Sequence, residues 1–139
     1  MSFRLKIITP EHVVYEGSVA SVVLPTATGE IEILEHHLPM IGVLEAGTVF
    51  YTETNTAVPM AVDTGFFKLA DNELLLLTEA AIDVQSVDEA SIDAAVRRAE
   101  EALEKAKHEK QIDEEELERL DKLLRFSVAQ KLTKQAKRS

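Results

Sequence analysis

The chain has 139 residues, no cysteine and a formal charge of −10 at neutral pH, which allows one substantial core or two small ones and excludes disulfide frameworks and thiolate chemistry. So acidic a chain lacks the basic surface with which a general nucleic-acid binder neutralises phosphates. No stretch approaches the roughly eighteen apolar residues of a membrane span, and the start "MSFRLKIITPEHVV" carries charges where a signal peptide has its apolar run. A soluble chain in a reducing, intracellular compartment is expected.

Up to Gln85 the apolar residues alternate with polar ones or form short runs: Phe3, Leu5 and Ile7 against Arg4 and Lys6, then "SVASVVL", "EIEIL", "IGVL", "GTVFYT", "AVPMAV", "GFFKL" and "ELLLLTE". These predict strands, separated by turns at "TATGE", "EAG", "TETNTA", "DTG" and "ADNE", where Gly, Asn and Asp supply turn dihedrals. Many short strands with regular punctuation point to an antiparallel β-sandwich or a barrel. The run Leu74 to Leu77 predicts a strand buried on both faces.

After Gln85 the β-branched runs give way to Ala, Leu, Glu, Lys and Arg with no Gly or Pro, which favours helix. "SVDE" from Ser86 to Glu89 reads as a capping box, with Ala90, Ala94, Ala95, Ala99, Ala102, Leu103 and Ala106 as the inner stripe of a first helix. Past "KHEKQ", a second helix is expected from Asp113 as N-cap, with Glu116 at its third position and Ile112 able to staple onto Leu117. Leu117, Leu120, Leu124, Val128 and Leu132 form its apolar face. The fold expected is α+β: a sandwich over residues 1–85 and an antiparallel two-helix hairpin over 86–139.

"GEIEILEHHLP" places two histidines among glutamates. In a strand, Ile31 and Ile33 turn inward and Glu30 and Glu32 outward. His36 and His37, if extended, point to opposite sides and grip one metal poorly, and only His12 and His108 lie elsewhere. No metal site is expected. A small hydrolase using His37 with Glu35 or Glu32 as an acid–base pair is one alternative, and an adaptor whose hairpin binds an unrelated complex is another. The chain has no nucleophile elbow or Gly-rich phosphate cradle to support the enzyme.

"GEIEILEHHLPMIGVLEAGTV" resembles the segment of F-type ATP synthase epsilon subunits whose usual form is close to "GELGILPGHAPLLTALKPG". "LKIITPEHVVYEGSVASVVLPTATGE", "VDTGFFKLADNELLLLTEAAI" and "DEASIDAAVRRAEEAL" resemble the same family in the same order, so the likeness covers essentially the whole chain. It implies a non-catalytic subunit of the central stalk, docked on the gamma subunit and on the ring of c subunits, rotating with both. The loop bearing Glu30, Glu32 and His37 corresponds to the family's ring-facing region. Gly29, Glu30, His37 and Pro39 match the pattern, whereas Glu32, Glu35 and His36 stand where the family has Gly, Pro and Gly. The start of the chain at the sandwich, without a transit peptide, leads to an expected place on the cytoplasmic face of a bacterial plasma membrane.

The resemblance also raises ATP as a ligand. Several bacterial relatives bind it through an Ile or Leu, Asp, two residues, Arg, Ala pattern with a second Arg further along. Here Asp88 and Arg98 match, but Ser91 replaces the first arginine and supplies neither its charge nor its forked donors. ATP binding is expected to be weak or absent, and no other cofactor is expected.

From Arg119 to Ser139 the chain holds seven Lys or Arg against one acid, so this tail is +6 and the remainder −16. Arg119, Lys122, Arg125, Lys131 and Lys134 span several turns, and the pairs 122/125 and 131/134 are expected to repel on the helix surface unless a partner neutralises them. The resemblance implies one: the second helix leaves the hairpin, extends along gamma and meets acidic segments of the catalytic beta and alpha subunits, inhibiting ATP hydrolysis.

Overall fold

The computed structural model describes residues 2–136, and the side chain of Ser86 and the basic residues Lys137 and Arg138 of the tail lie outside the described ones. Ten strands come first: β1 (Phe3–Ile8), β2 (Val13–Val19), β3 (Ser21–Thr26), β4 (Gly29–Leu34), β5 (Met40–Leu44), β6 (Gly47–Thr52), β7 (Ala57–Val62), β8 (Gly65–Ala70), β9 (Glu73–Thr78) and β10 (Ala81–Ile82). A 3-10 turn at Val84–Ser86 leads into α1 (Glu89–Lys107) and α2 (Glu114–Gln135). The strands form two five-stranded sheets, one ordered β2-β1-β9-β8-β5 and the other β10-β7-β6-β3-β4.

Alternation makes the core. Phe3, Leu5, Ile7, Phe67, Leu69, Leu74 and Leu76 of the first sheet meet Val22, Leu24, Ile33, Val49, Tyr51, Met60 and Val62 of the second. Each fully buried Leu or Ile contributes about 1.5–3 kcal/mol relative to exposure. The pairing is antiparallel except where β1 runs parallel to β9, Arg4 opposite Glu73 through Ile8 opposite Leu77.

Two strand expectations are corrected. "SVASVVL" is not one strand: the chain leaves the first sheet at Val19 and enters the second at Ser21, and the Ala20 N–H donates to Thr52 O at 2.7 Å across the break. The run Leu74–Leu77 is buried on one face only, since Leu77 is 45% exposed. Among the described residues, no element packs on the outer face of the first sheet.

The turns follow local chemistry. Asp71 and Asn72, both with positive φ, make the tight β8–β9 connection favoured in twisted hairpins. Backbone and side chains converge at the β7–β8 corner, where the buried Thr78 hydroxyl donates to Asp63 O at 2.7 Å, with Ala80 O a second acceptor within reach at 3.0 Å.

α1 begins two residues later than the capping box at Ser86 predicts, because Asp88 is its N-cap and accepts from the Ala90 N–H. Its buried residues are Ile92, Val96, Ala99 and Leu103; Ala99 and Leu103 were expected, while Ala90 is exposed. Asp113 caps α2 and accepts from Glu115 and Glu116 N–H, but the Glu116 carboxylate turns to Arg119 and Ile112 is exposed. The inner face of α2 matches the predicted leucine stripe only in part. Leu120, Ser127, Ala129 and Thr133 are buried, Leu117, Leu124 and Val128 only partly so, and Leu132 is 58% exposed.

Small side chains let α2 approach β6 and β7, where Ala61 is fully buried with Val84 and Ile92, and Phe126 packs against them. The two helices pack against each other, and the hairpin covers the outer side of the second sheet.

Candidate docking surfaces

β4 is an edge strand of the second sheet. Its alternation buries Ile33, tucks Ile31 partly in and leaves Glu30 and Glu32 exposed on the opposite face. Beyond Leu34 the chain turns: His36 takes a positive φ of 62°, so the two histidines do not sit in the extended backbone expected of them. The His36 N–H donates to Asn72 Oδ1 at 3.2 Å, and the Asn72 amide donates to Ser2 O at 3.1 Å. Asn72 thus ties the loop after β4 to the first sheet, a long-range positioning role that the local sequence pattern did not single out.

The acid–base alternative finds no geometry here. His37 Nδ1 lies 2.8 Å from Leu38 O, and Glu35 pairs at 3.5 Å with His36 rather than with His37. Among the described residues no group of three or more His, Asp or Glu converges as metal ligands do. Instead the loop presents exposed Leu34 and Leu38 beside the acids.

The outer face of the first sheet holds a surface that the alternation rule passed over. Cross-strand register aligns Val43 with Phe66, Phe66 with Leu77, Leu77 with Ile8, and Ile8 with Val13, one apolar row across all five strands. Val43, Phe66, Leu77 and Val13 are each about half exposed or more, with Phe66 at 61%. The adjacent row carries Ile41, Lys68, Leu75, Lys6 and Glu16. Lys6 and Arg4 each lie 3.7 Å from Glu16. A signal existed in the sequence: Phe66 beside Phe67, and four leucines running, force an apolar side chain onto the outer face of an alternating strand.

At the helical end, Asp88 is occupied as the N-cap of α1, while Ser91 and Arg98 are exposed. Four of the five basic residues of α2 have a carboxylate partner within the chain, and the fifth, Lys134, donates to backbone carbonyls. Arg119 donates two hydrogen bonds to Glu116, which holds that carboxyl below its usual range and raises the guanidinium. Lys122 reaches Glu118 at 3.8 Å and Arg125 reaches Asp121 at 3.1 Å, acids one turn earlier that offset the like-charge spacing. Lys131 pairs with Asp93 of α1 at 3.2 Å, and the Lys134 ammonium donates to Val84 O and Gln85 O.

Comparison with known proteins agrees with this architecture. Residues 2–84 match the family "ATP synthase, Delta/Epsilon chain, beta-sandwich domain". The ATP synthase epsilon chain of Lawsonia intracellularis is 33% identical over 78% of this chain and 81% of its own, and the chloroplastic epsilon chain of Cyanidium caldarium is 30% identical over 90% and 91%. The epsilon chain of Pelotomaculum thermopropionicum is 35% identical over 73% and 76%. A chain in the Euglena gracilis mitochondrial ATP synthase structure of OSCP, F1 and c-ring shares the fold with a TM-score of 0.73, at 16% identity over 92% of this chain and 78% of that one. The family model over residues 2–84, together with relatives this similar along most of their length, establishes that the chain belongs to the epsilon-chain family of the ATP synthases and is a non-catalytic subunit.

Proposed function

We propose that the chain is a coupling piece of the central stalk, joining the gamma subunit to the c-ring during rotary ATP synthesis, with a C-terminal arm that restrains ATP hydrolysis. The observation that carries this reading is the division of the sandwich into one covered and one open face. The hairpin occupies the outer side of the β6–β7 sheet, while the apolar row Val43, Phe66, Leu77, Ile8 and Val13 crosses the other sheet uncovered. Aromatic and aliphatic side chains in a polar rim form the kind of core on which a lasting protein interface is built.

Gamma is assigned to that row and the c-ring to the end of the sandwich bearing Glu30, Glu32 and His37. Exposed acids there suit basic groups on the polar loops of a membrane ring and set register without deep burial. The subunit is then peripheral to the membrane through the complex, and the bacterial relatives favour the cytoplasmic face of a bacterial membrane. ATP is not a ligand in this reading, because Ser91 stands in the arginine position and Asp88 is spent on capping. Isothermal titration showing micromolar affinity would reverse that assignment.

Phe66→Glu tests the gamma assignment: the variant stays folded, since the side chain is exposed, and loses binding to gamma by tenfold or more. Undiminished binding would sink it. Glu30→Lys together with Glu32→Lys lowers the coupling of proton pumping to ATP hydrolysis in the assembled enzyme, and full coupling counts against the ring contact.

A further inference from the structure

The contacts of α2 divide by what happens to them if the helix leaves the sandwich. The bridges from Arg119, Lys122 and Arg125 go to Glu116, Glu118 and Asp121 of the same helix and travel with it. Those at the far end of α2 do not. Thr133 is 1% exposed, and its hydroxyl donates to Ala129 O at 2.6 Å. That proton is therefore committed, so the 2.7 Å contact with Thr48 on β6 is a hydrogen bond donated by the Thr48 hydroxyl to Thr133 Oγ1. One residue on, the Lys134 ammonium donates to Val84 O at 3.1 Å and Gln85 O at 3.0 Å. Those carbonyls belong to the turn between the sandwich and α1, the segment whose dihedrals must change for the hairpin to swing.

We propose that the C-terminal turn of α2 is a catch that closes this hinge, with Thr133 fastening the helix to β6 and Lys134 pinning the hinge carbonyls. It deepens the inhibitory-arm reading above, on which its functional consequence rests. The far end of α2 is suited to a catch rather than a permanent seam, because its buried side chains Ala129 and Thr133 are small and Leu132 is exposed, the large apolar contact of Phe126 with Ala61, Val84 and Ile92 lying further back along the helix. Directional hydrogen bonds decide docking where the hydrophobic contribution is small. Leu124, Val128 and Leu132 also line an open groove against Glu45–Gly47 on the same side, so release does not have to extract a fully buried leucine stripe from the sheet.

The full-length isolated chain, which has no native cysteine, is spin-labelled at the exposed positions Thr54 and Gln135, and the distance distribution is read by pulsed electron resonance. The parent is expected to give one short distance. Lys134→Met and Thr133→Val are each expected to raise the released population about five- to tenfold, the effect of losing one net hydrogen bond or leaving one partner unpaired. Lys134 is partly exposed, so its variant folds and the test does not depend on the buried Thr133 variant alone. A distribution unchanged in the double variant overturns the catch. A second arm uses Thr48→Cys with Thr133→Cys, whose hydroxyls already touch. In the assembled ATP synthase the oxidised pair is expected to hold the hairpin docked and raise ATP hydrolysis, and reductant to restore inhibition. If the labels respond in the isolated chain but hydrolysis does not respond to the disulfide, the catch stands and the inhibitory role falls.

Discussion

The two interfaces of this molecule are built from different materials. Between the sheets, Leu5, Ile7, Leu24, Ile33, Leu44, Leu74 and Leu76 are wholly buried and interdigitate. Between the hairpin and the sandwich, the buried positions of α2 are Leu120, Ser127, Ala129 and Thr133, and the polar contacts are Thr133 with Thr48 on β6 and the Lys134 ammonium with carbonyls of the Val84–Ser86 turn. A core of the first kind loses several kcal/mol with any large truncation, whereas a surface of the second kind parts at small cost. On the function proposed above, the contrast teaches that a chain can hold a permanent scaffold and a releasable arm by choosing side-chain size, with no change in fold.

The largest effect that would test the contrast is in the scaffold. Leu76→Ala is expected to cost about 2–5 kcal/mol of unfolding free energy, read from chemical denaturation. A loss under about 1 kcal/mol would erase the distinction between the two interfaces. Removing residues from Ile112 onward is expected to leave the sandwich folded and assembly intact while raising ATP hydrolysis in the complex. Equal hydrolysis by truncated and intact forms would make the arm purely structural.

Arg119, Lys122 and Arg125 replaced together by Ala should relieve inhibition only in part. Their bridges are exposed and contribute little to the docked state, so the effect is expected in the assembled enzyme and should shrink as salt rises. Loss of docking in the isolated chain instead would move these residues into the hairpin's own stability.

The smallest effect is in pH, and it separates the regions by sign. Tyr15 and Tyr51 stack with centroids 4.3 Å apart where the two sheets meet, and Tyr15 donates to Glu53 at 2.8 Å. Burial first, then the neighbouring Glu53, raises both phenols above their ordinary value. Their contribution is full below about pH 10 and is lost as pH rises further, so the sandwich weakens in alkali. Glu116 is lowered by its bond from Arg119, so its contribution is present above the ordinary carboxylate range and is lost as pH falls through the lowered value. Amide exchange should report fraying of the first turns of α2 in acid before the sandwich responds. Simultaneous loss in both regions would contradict this ordering.

Much of the fold was legible in the chain because strand and helix periods differ and the change falls near Gln85. Asp113 and the Asp71–Asn72 turn follow from local backbone chemistry. The leucine stripe of α2 misled because hydrophobicity marks an inner face only where large side chains fill the gap, and here close approach to the sheet selects Ala, Ser and Thr. For the basic helix, Glu116, Glu118 and Asp121 lie one turn before Arg119, Lys122 and Arg125, so those pairs were open to a local reading. Lys131 with Asp93, and Lys134 with two carbonyls, join segments far apart in the chain and have no local signature. The exposed acids Glu30 and Glu32 were readable from alternation, while the apolar row required knowing which strands lie side by side.

The parallel pairing of β1 with β9 has a consequence for how the protein is made. β1 finds β2 early through a short connection, but its other edge waits for Glu73–Thr78, so Arg4 pairs with Glu73 only after seven intervening strands have been synthesised. Closing so long a loop is the slow part of folding for a topology rich in distant pairings. On a ribosome the sandwich therefore cannot complete until β9 has left the exit tunnel. The helices, which pair with each other through nearby sequence, then emerge onto a sheet that is already formed and against which α2 docks.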